Sequence, residues 1–225
     1  MSSAAAVIVP QQKQLEDPLA HLPCSTISDY KKGQVIYGHD NPVNNIFLIL
    51  SGKVKVSRIT ENGRPIVIDV YRTDEFFGES AFLRLDLRGE VAVAAEPTQV
   101  MSWGSDEIER ISLTRPKLAI GLMQLQAQRS EEFVQRIVGF SGDTIGKRLA
   151  CALIRFAERL GWSLGDGSTE MSALTHQFLA EHVGTSREIV THCMNQLRRQ
   201  GYLRYSRKSI QVYVGPLKAS FVEAA

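Results

Sequence analysis

Cysteine is scarce in this chain, and what there is does not pair. Cys24, Cys151 and Cys193 are the only three among 225 residues, far apart and odd in number. They make no CxxC pair and no disulfide framework, so the expected compartment is a reducing cytoplasm. Three thiols fall short of the roughly four that an iron–sulfur cluster takes, and His21, His39 and Cys24 form no recognisable axial set for haem. Histidine is thin too: the strand-rich stretch described below offers only His39, with no HxH pattern. That argues against a metal-dependent enzyme on a double-sheet β domain; no metal site is expected, and the chain reads as a non-enzyme. Long apolar runs are also missing. None reaches the roughly 18 residues of a membrane-spanning helix, and the apolar stretch in residues 1–10 has no basic residue before it, so neither a membrane partner nor a secretory leader is expected.

What is present divides in two. The formal charge of +2 averages over unlike parts. Residues 145–225 carry 11 Lys/Arg against 6 Asp/Glu, a net of +5, which leaves 15 against 18, a net of −3, for residues 1–144. Six of those 11 cations lie between Arg187 and Lys208, beside Glu188 as the sole acid. Such a cluster suits a phosphate backbone; a solvated charged face is the plainer alternative.

Residues 1–24 read as an N-terminal arm. Over 25–115 short strands alternate with Gly, Asn, Asp and Pro: Gln34–Tyr37, Asn45–Leu50, Lys53–Ser57, Pro65–Val70 and Val91–Ala94 are the clearest. Asn62-Gly63 is a hairpin signal between two of them. Many short strands with such turns imply a closed or double-sheet β domain. From Pro116 to Gly142 the period becomes helical, with Leu118, Leu122, Leu125, Phe133, Ile137 and Phe140 at three- and four-residue steps. A helix of that length runs about 38 Å, and a second copy of the chain could cover part of its stripe. Residues 143–225 then hold a shorter helix from Gly146, a Gly-rich loop over Trp162–Thr169, and the segment that carries the function. The fold class is α+β.

In that last segment Leu174–Val183 is a short amphipathic helix stopped by Gly184, and a second begins at once and runs from about Thr185 to Gln200. Thr185 with Glu188 fits a capping box, with Ser186 as the other candidate cap. Val190, Met194 and Leu197 fall on one side; Arg187, Glu188, Thr191, His192, Asn195, Arg198 and Arg199 fall on the other. Two short helices, a Gly turn and a polar, basic second helix read as a helix-turn-helix on double-stranded DNA. Arg187 suits guanine O6 and N7, Glu188 a cytosine amino group, and Thr185 and Ser186 a phosphate at the helix start. The hairpin from Leu203 to Val214 turns through Arg207 and Lys208, a wing suited to backbone contact.

The run from Leu174 to Tyr213 resembles the winged helix of the CRP/FNR regulators, through Ser186-Arg187-Glu188 and the Gly201-Tyr202-Leu203 to Tyr213 wing. Lys32–Gln34, Leu50–Val54 and Phe76–Glu79 stand where that family has its sensor landmarks, so the likeness spans about Ser25 to Val214. It implies an N-terminal β-roll (a double-stranded jelly roll like a cyclic-nucleotide-binding domain), a long dimerisation helix at 116–142 and a C-terminal winged helix-turn-helix. It also implies a homodimer on a pseudo-palindromic site and RNA polymerase as a partner. His192 stands where the family usually has a further Arg, which implies a different half-site.

The resemblance offers a cyclic nucleotide as effector, at Gly78, Glu79, Ser80, Arg88, Gly89, Phe133 and Val134. The residues speak against it. Gly89-Glu90 replaces the family's Ser-Ala and sets an acid beside the phosphate, and Phe133-Val134 falls where polar groups would meet the adenine. No cofactor is required. A cyclic-nucleotide module acting through a protein partner is the alternative function. Cys193, on the recognition helix, is either a redox-sensitive thiol or a small half-buried side chain.

Overall fold

A computed structural model describes residues 15–63, 65–83 and 89–222. Arg88, one of the effector-pocket candidates, lies outside them, as does most of the arm. Eight strands come first: β1 (Thr26–Tyr30), β2 (Val35–Tyr37), β3 (Asn45–Ser51), β4 (Lys53–Ile59), β5 (Pro65–Arg72), β6 (Phe76–Phe77), β7 (Glu90–Ala94) and β8 (Thr98–Gly104). They form two four-stranded antiparallel sheets, ordered β1-β8-β3-β6 and β2-β7-β4-β5. This is the β-roll. Its interior holds Tyr37, Phe47, Ile49, Val54, Val56, Tyr71, Phe77 and Val100.

The apolar run of β3 has no polar alternation because both its faces are covered. Phe47 and Ile49 point into the roll, while Ile46 and Leu48 join Phe76 and Trp103 beneath the helices. Those helices are α1 (Ser105–Thr114) and α2 (Pro116–Gly142). Leu118 is fully buried there, with Leu122 and Leu125 packed beside it. The expected single stripe of α2 therefore splits. Its N-terminal leucines face the roll, whereas Ile137 and Phe140 stay 63% and 45% exposed. A second line, Ile120, Met123, Ala127, Ser130, Val134 and Ile137, leaves its large apolar members Ile120, Met123, Val134 and Ile137 exposed and repeats at alternating three- and four-residue steps.

The C-terminal part comprises α3 (Ile145–Leu160), β9 (Trp162–Ser163), β10 (Thr169–Ser172), α4 (His176–Val183), α5 (Arg187–Arg199), β11 (Leu203–Tyr205), β12 (Ser209–Val212) and α6 (Val214–Phe221). The loop expected over Trp162–Thr169 is a hairpin instead. Its strands extend the wing into a four-stranded sheet, β11-β12-β10-β9. Gln211 Nε2 donates to Asp166 Oδ2 at 3.0 Å and clips the hairpin tip to β12. α3 buries Leu149, Leu153 and Phe156 against Leu179, Val183, Val190, Met194 and Leu197 of α4 and α5.

The two halves meet along β5, an edge strand that would otherwise present unpaired backbone groups. Val67 and Val70 enter the winged-helix core, and Arg136 of α2 donates to the carbonyls of Ile68 (2.6 Å) and Val67 (3.2 Å). Arg159 at the end of α3 reaches both oxygens of Asp69 at 3.0 Å and Glu75 at 2.8 Å, with Glu132 at 3.6 Å. Arg72 returns a hydrogen bond to the carbonyl of Arg159.

His182 of α4 lies in the same junction, 4% exposed, between the rings of Phe156 and Phe178. Its Nε2 accepts from Arg155 at 2.6 Å, which puts the proton on Nδ1. Burial, then the charges of Arg155, Arg136 and Arg159, push its pKa down to about 2. The unfolded chain thus takes up a proton near pH 6.5 that the native state refuses. This contribution is intact above about pH 6.5 and is lost as the pH falls, by up to ~1.4 kcal/mol per unit. Thermal melts should drop between pH 6.5 and 5, and less steeply in His182→Gln. Equal slopes in the two proteins would rule this residue out as the cause.

Candidate nucleic-acid interface

The helix pair is built by its caps. Thr175 accepts from the Phe178 N–H at 3.0 Å and starts α4; Gly184 ends it in the left-handed region at φ 71°. A side chain at Gly184 would meet the Phe140 ring at 2.9 Å, so the turn is closed to other residues by conformation and by space. α5 then starts from Ser186, whose hydroxyl accepts from the Ile189 N–H at 3.4 Å. Ser186 thus takes the cap, and the box between Thr185 and Glu188 does not form. Glu188 engages its own N–H and the Ser186 hydroxyl instead, which holds its carboxyl below the usual range and keeps it charged.

Val190, Met194 and Leu197 anchor α5 in the core. Arg187, Glu188 and His192 stand exposed at and after its start, and Arg198 and Arg199 at its end. Thr191 and Asn195 are half-buried and already engaged. The Thr191 hydroxyl donates to the Arg187 carbonyl at 2.8 Å and accepts from Nδ1 of His176 at 2.8 Å. Asn195 Oδ1 accepts from the Tyr205 hydroxyl at 3.0 Å, which leaves its amide nitrogen as the free end. His176 and Tyr205 were not among the residues expected from the sequence. Tyr205 packs edge-on against His176 and lies under the Arg198 guanidinium at 5.3 Å, so α4, α5 and β11 form one rigid block. Their only signal in sequence is an aromatic and an imidazole placed among polar residues; the pairing itself is tertiary.

The wing tip is a tight turn. Ser206 N–H donates to the Ser209 carbonyl at 2.9 Å, and Ser206 Oγ accepts from the N–H groups of Lys208 and Ser209. Arg207 and Lys208 project from it, exposed to solvent. Lys208→Ala should weaken binding to every duplex by a similar factor and lower the slope of log K against log salt by about 1. Gel shifts on two unrelated sequences check this, and a loss confined to one of them would refute the wing role. Cys193 is half-buried beside Met194, and burial pushes its thiol up, away from the reactive thiolate.

The second group of candidate residues lies inside the roll. Gly78 has φ 88°, and a Cβ there would come within 2.6 Å of the Asn45 carbonyl, so only glycine fits. Glu79 pairs with Arg129 of α2 at 3.1 Å; Arg129 also sits over the Tyr71 ring and donates to the Phe76 carbonyl. Ser80 Oγ donates to Glu90 Oε1 at 2.7 Å, the Tyr37 hydroxyl donates to the same oxygen at 3.0 Å, and Arg58 lies 3.5 Å from Oε2. Burial and the neighbouring carboxylates push the Tyr37 and Tyr71 hydroxyls up, so both stay neutral donors. Gly89 turns beside Glu90 at φ 93°. Phe133 is half-buried under Arg136, while Val134 is 49% exposed on the free line of α2. Arg88 lies outside the described residues, and Glu79, Ser80 and Glu90 are each already bonded to a neighbour. Ser80 and Tyr37 both donate to Glu90, Arg58 and Arg129 are paired with Glu90 and Glu79, and an incoming anion would face the half-buried Glu90 carboxylate.

A basic helix held by a Gly-turned partner and flanked by a basic hairpin is a DNA-binding winged helix. Joined through a long helix to a β-roll, it defines a transcription regulator with a sensor-type domain. Comparisons with known proteins agree. Residues 27–115 match the cyclic nucleotide-binding domain family and residues 147–213 the Crp-like helix-turn-helix domain family. The chain is 29% identical over 190 residues to the global nitrogen regulator of Synechococcus elongatus, covering 83% of this chain and 85% of that one. It is 24% identical over 184 residues to the CRP-like cAMP-activated global transcriptional regulator of Mycobacterium tuberculosis, covering 82% of each. A solved CRP/FNR-family transcriptional regulator from Thermus thermophilus superposes with a TM-score of 0.71 at 28% identity, covering 86% of this chain and 97% of that one. The chain belongs to the CRP/FNR family and is a DNA-binding transcription regulator. No helix of the described residues is long and apolar enough to cross a membrane.

Proposed function

We propose that the chain acts in the cytoplasm as a homodimer on a pseudo-palindromic site, with the free line of α2 as the seam and the two α5 helices in successive major grooves. The observation that carries this reading is the exposed start of α5. There Arg187 and Glu188 stand clear of the protein, at the end of a helix narrow enough for the major groove. Arg187 reads a guanine and Glu188 a cytosine amino group. His192 and the free amide end of Asn195 reach the next bases, and Thr191 positions rather than reads. Thr185, Ser186, Arg207 and Lys208 hold phosphates. Two such helices about 34 Å apart fit one turn of duplex. The heptad-like spacing from Ile120 to Ile137 supports the seam, since apolar residues at those steps meet a second helix best. RNA polymerase is the partner that membership of this family suggests, and a signal at the roll is the control it suggests.

Gel shifts with Arg187→Ala test the reading. Loss of about 1–3 kcal/mol of preference for the specific site, with non-specific affinity kept, is expected. Unchanged preference would remove Arg187 from the base-reading set.

A further inference from the structure

A cavity lies outside both groups of candidate site residues described above. It measures about 500 Å³ and sits where α2, α3 and α4 converge, lined among others by Arg136, Phe140, Arg148, Arg155, His182 and Val183. Two features set it apart. First, four buried side-chain nitrogens or oxygens among the described residues lack a hydrogen-bond partner, and three belong to this lining: Arg148 Nε, Arg155 Nε and His182 Nδ1. All three are N–H donors, given the His182 tautomer fixed above. Buried donors left without acceptors are costly, and three around one space favour an acceptor-rich occupant. Second, the lining carries four cations, Arg136, Lys147, Arg148 and Arg155, against three carboxylates, Glu131, Glu132 and Asp143. Lys147 pairs with Asp143 at 3.0 Å and Arg155 leans on Glu132 at 4.0 Å. Arg136 donates to backbone carbonyls and lies over the Phe133 ring, with Asp69 and Glu132 attracting it from farther off, and Arg148 lies over the Phe140 ring at 4.8 Å with no ion pair among the described residues. Burial lowers the affinity of Arg136 and Arg155 for their protons, helped by repulsion from Arg155 on Arg136 and from Arg159 on Arg155 and partly offset by Asp69 and Glu132. The remaining wall is mixed: Val138, Phe140, Ala152 and Val183 are apolar, while Glu131 and Gln135, bonded to each other at 2.8 Å, are polar.

We propose that this cavity binds a small organic anion, a carboxylate or phosphate monoester with a short apolar body, held through its oxygens by Arg148, Arg155 and Arg136. The apolar part of the wall takes the body, and His182 Nδ1 supplies a neutral donor. α2 contributes Arg136 and Phe140, α3 contributes Arg148 and Arg155, and α4 contributes His182. The anion therefore fastens the DNA-reading half to the long helix and fixes the angle at which α5 is presented. This is an effector site at the hinge, separate from the Gly78–Glu90 cluster in the roll.

The test is calorimetric titration of the full chain, in low-chloride buffer, with inorganic phosphate, succinate and benzoate. Saturable binding of at least one anion, one per chain, is expected, with affinity falling at least tenfold in Arg148→Gln. Which anion binds assigns the head group. DNA affinity measured without added anion should be the same in both proteins, so failure here is separable from failure of the DNA-reading surface. The nitrogen resonances of the His182 ring provide a check on wild-type protein alone, since Nδ1 should shift with saturation. No saturable binding of any of the three at ~10 mM overturns the proposal. So does binding that Arg148→Gln leaves unchanged, or saturation that leaves His182 unmoved.

Discussion

Arg159→Met is expected to cost about 3–5 kcal/mol of stability, the largest effect of any single substitution considered for this chain. Asp69 is 3% exposed in the middle of β5, and Arg159 supplies both of its charged hydrogen bonds across the junction. The same guanidinium serves Glu75 and lies near Glu132, and those carboxylates hold it charged more firmly than usual. Methionine keeps the aliphatic stem but leaves the buried Asp69 carboxylate with no cation bonded to it, only the Val70 N–H. Removing one partner of such a pair costs far more than the pair itself contributes, because the stranded charge cannot reach water. Urea unfolding should therefore show a large drop in midpoint, and Arg159→Met with Asp69→Asn should recover most of it. A single variant within about 1 kcal/mol of wild type would mean that the two halves separate in solution.

The second large effect is expected at the free line of α2. Ile137→Glu places a carboxylate at a position 63% exposed in the single chain, so the fold of one copy should be untouched. In a dimer packed along that line the two new charges would be desolvated close together, which an apolar helix pair does not tolerate. Sedimentation should find a monomer where wild type is a dimer. Binding to a full operator should weaken by at least ~100-fold, since one half-site no longer raises the effective concentration of the other. A dimer that survives the substitution would place the interface elsewhere.

Much of this architecture is legible in the chain. The strands from β2 to β5 carry strong apolar runs bounded by turns, and Gly184 followed by Ser186-Arg187-Glu188 locates the reading helix to within two residues. β1 and β8 escape notice because polarity does not follow burial in them: Thr98 is 3% exposed while Ile27 is 49% exposed, so no clean alternation shows. The short β9–β10 hairpin looks like a loop because β9 is two residues long and β10 is completed by β12, some 40 residues on. The stripe of α2 looks single because spacing tells which residues share a helix face, not which neighbour covers it. Thr191 and Asn195 sit on the reading face by spacing, yet their engagement with His176 and Tyr205 is tertiary. The Arg159–Asp69 pair spans 90 positions and carries no local signal at all.

Selection of bound duplexes from a random-sequence pool, repeated with Arg187→Ala, tests the central claim most directly. A two-fold symmetric consensus is expected, its half-sites one helical turn apart, and information at one guanine of each half-site should vanish in the variant. A pool without consensus, or a consensus that Arg187→Ala leaves intact, would contradict it.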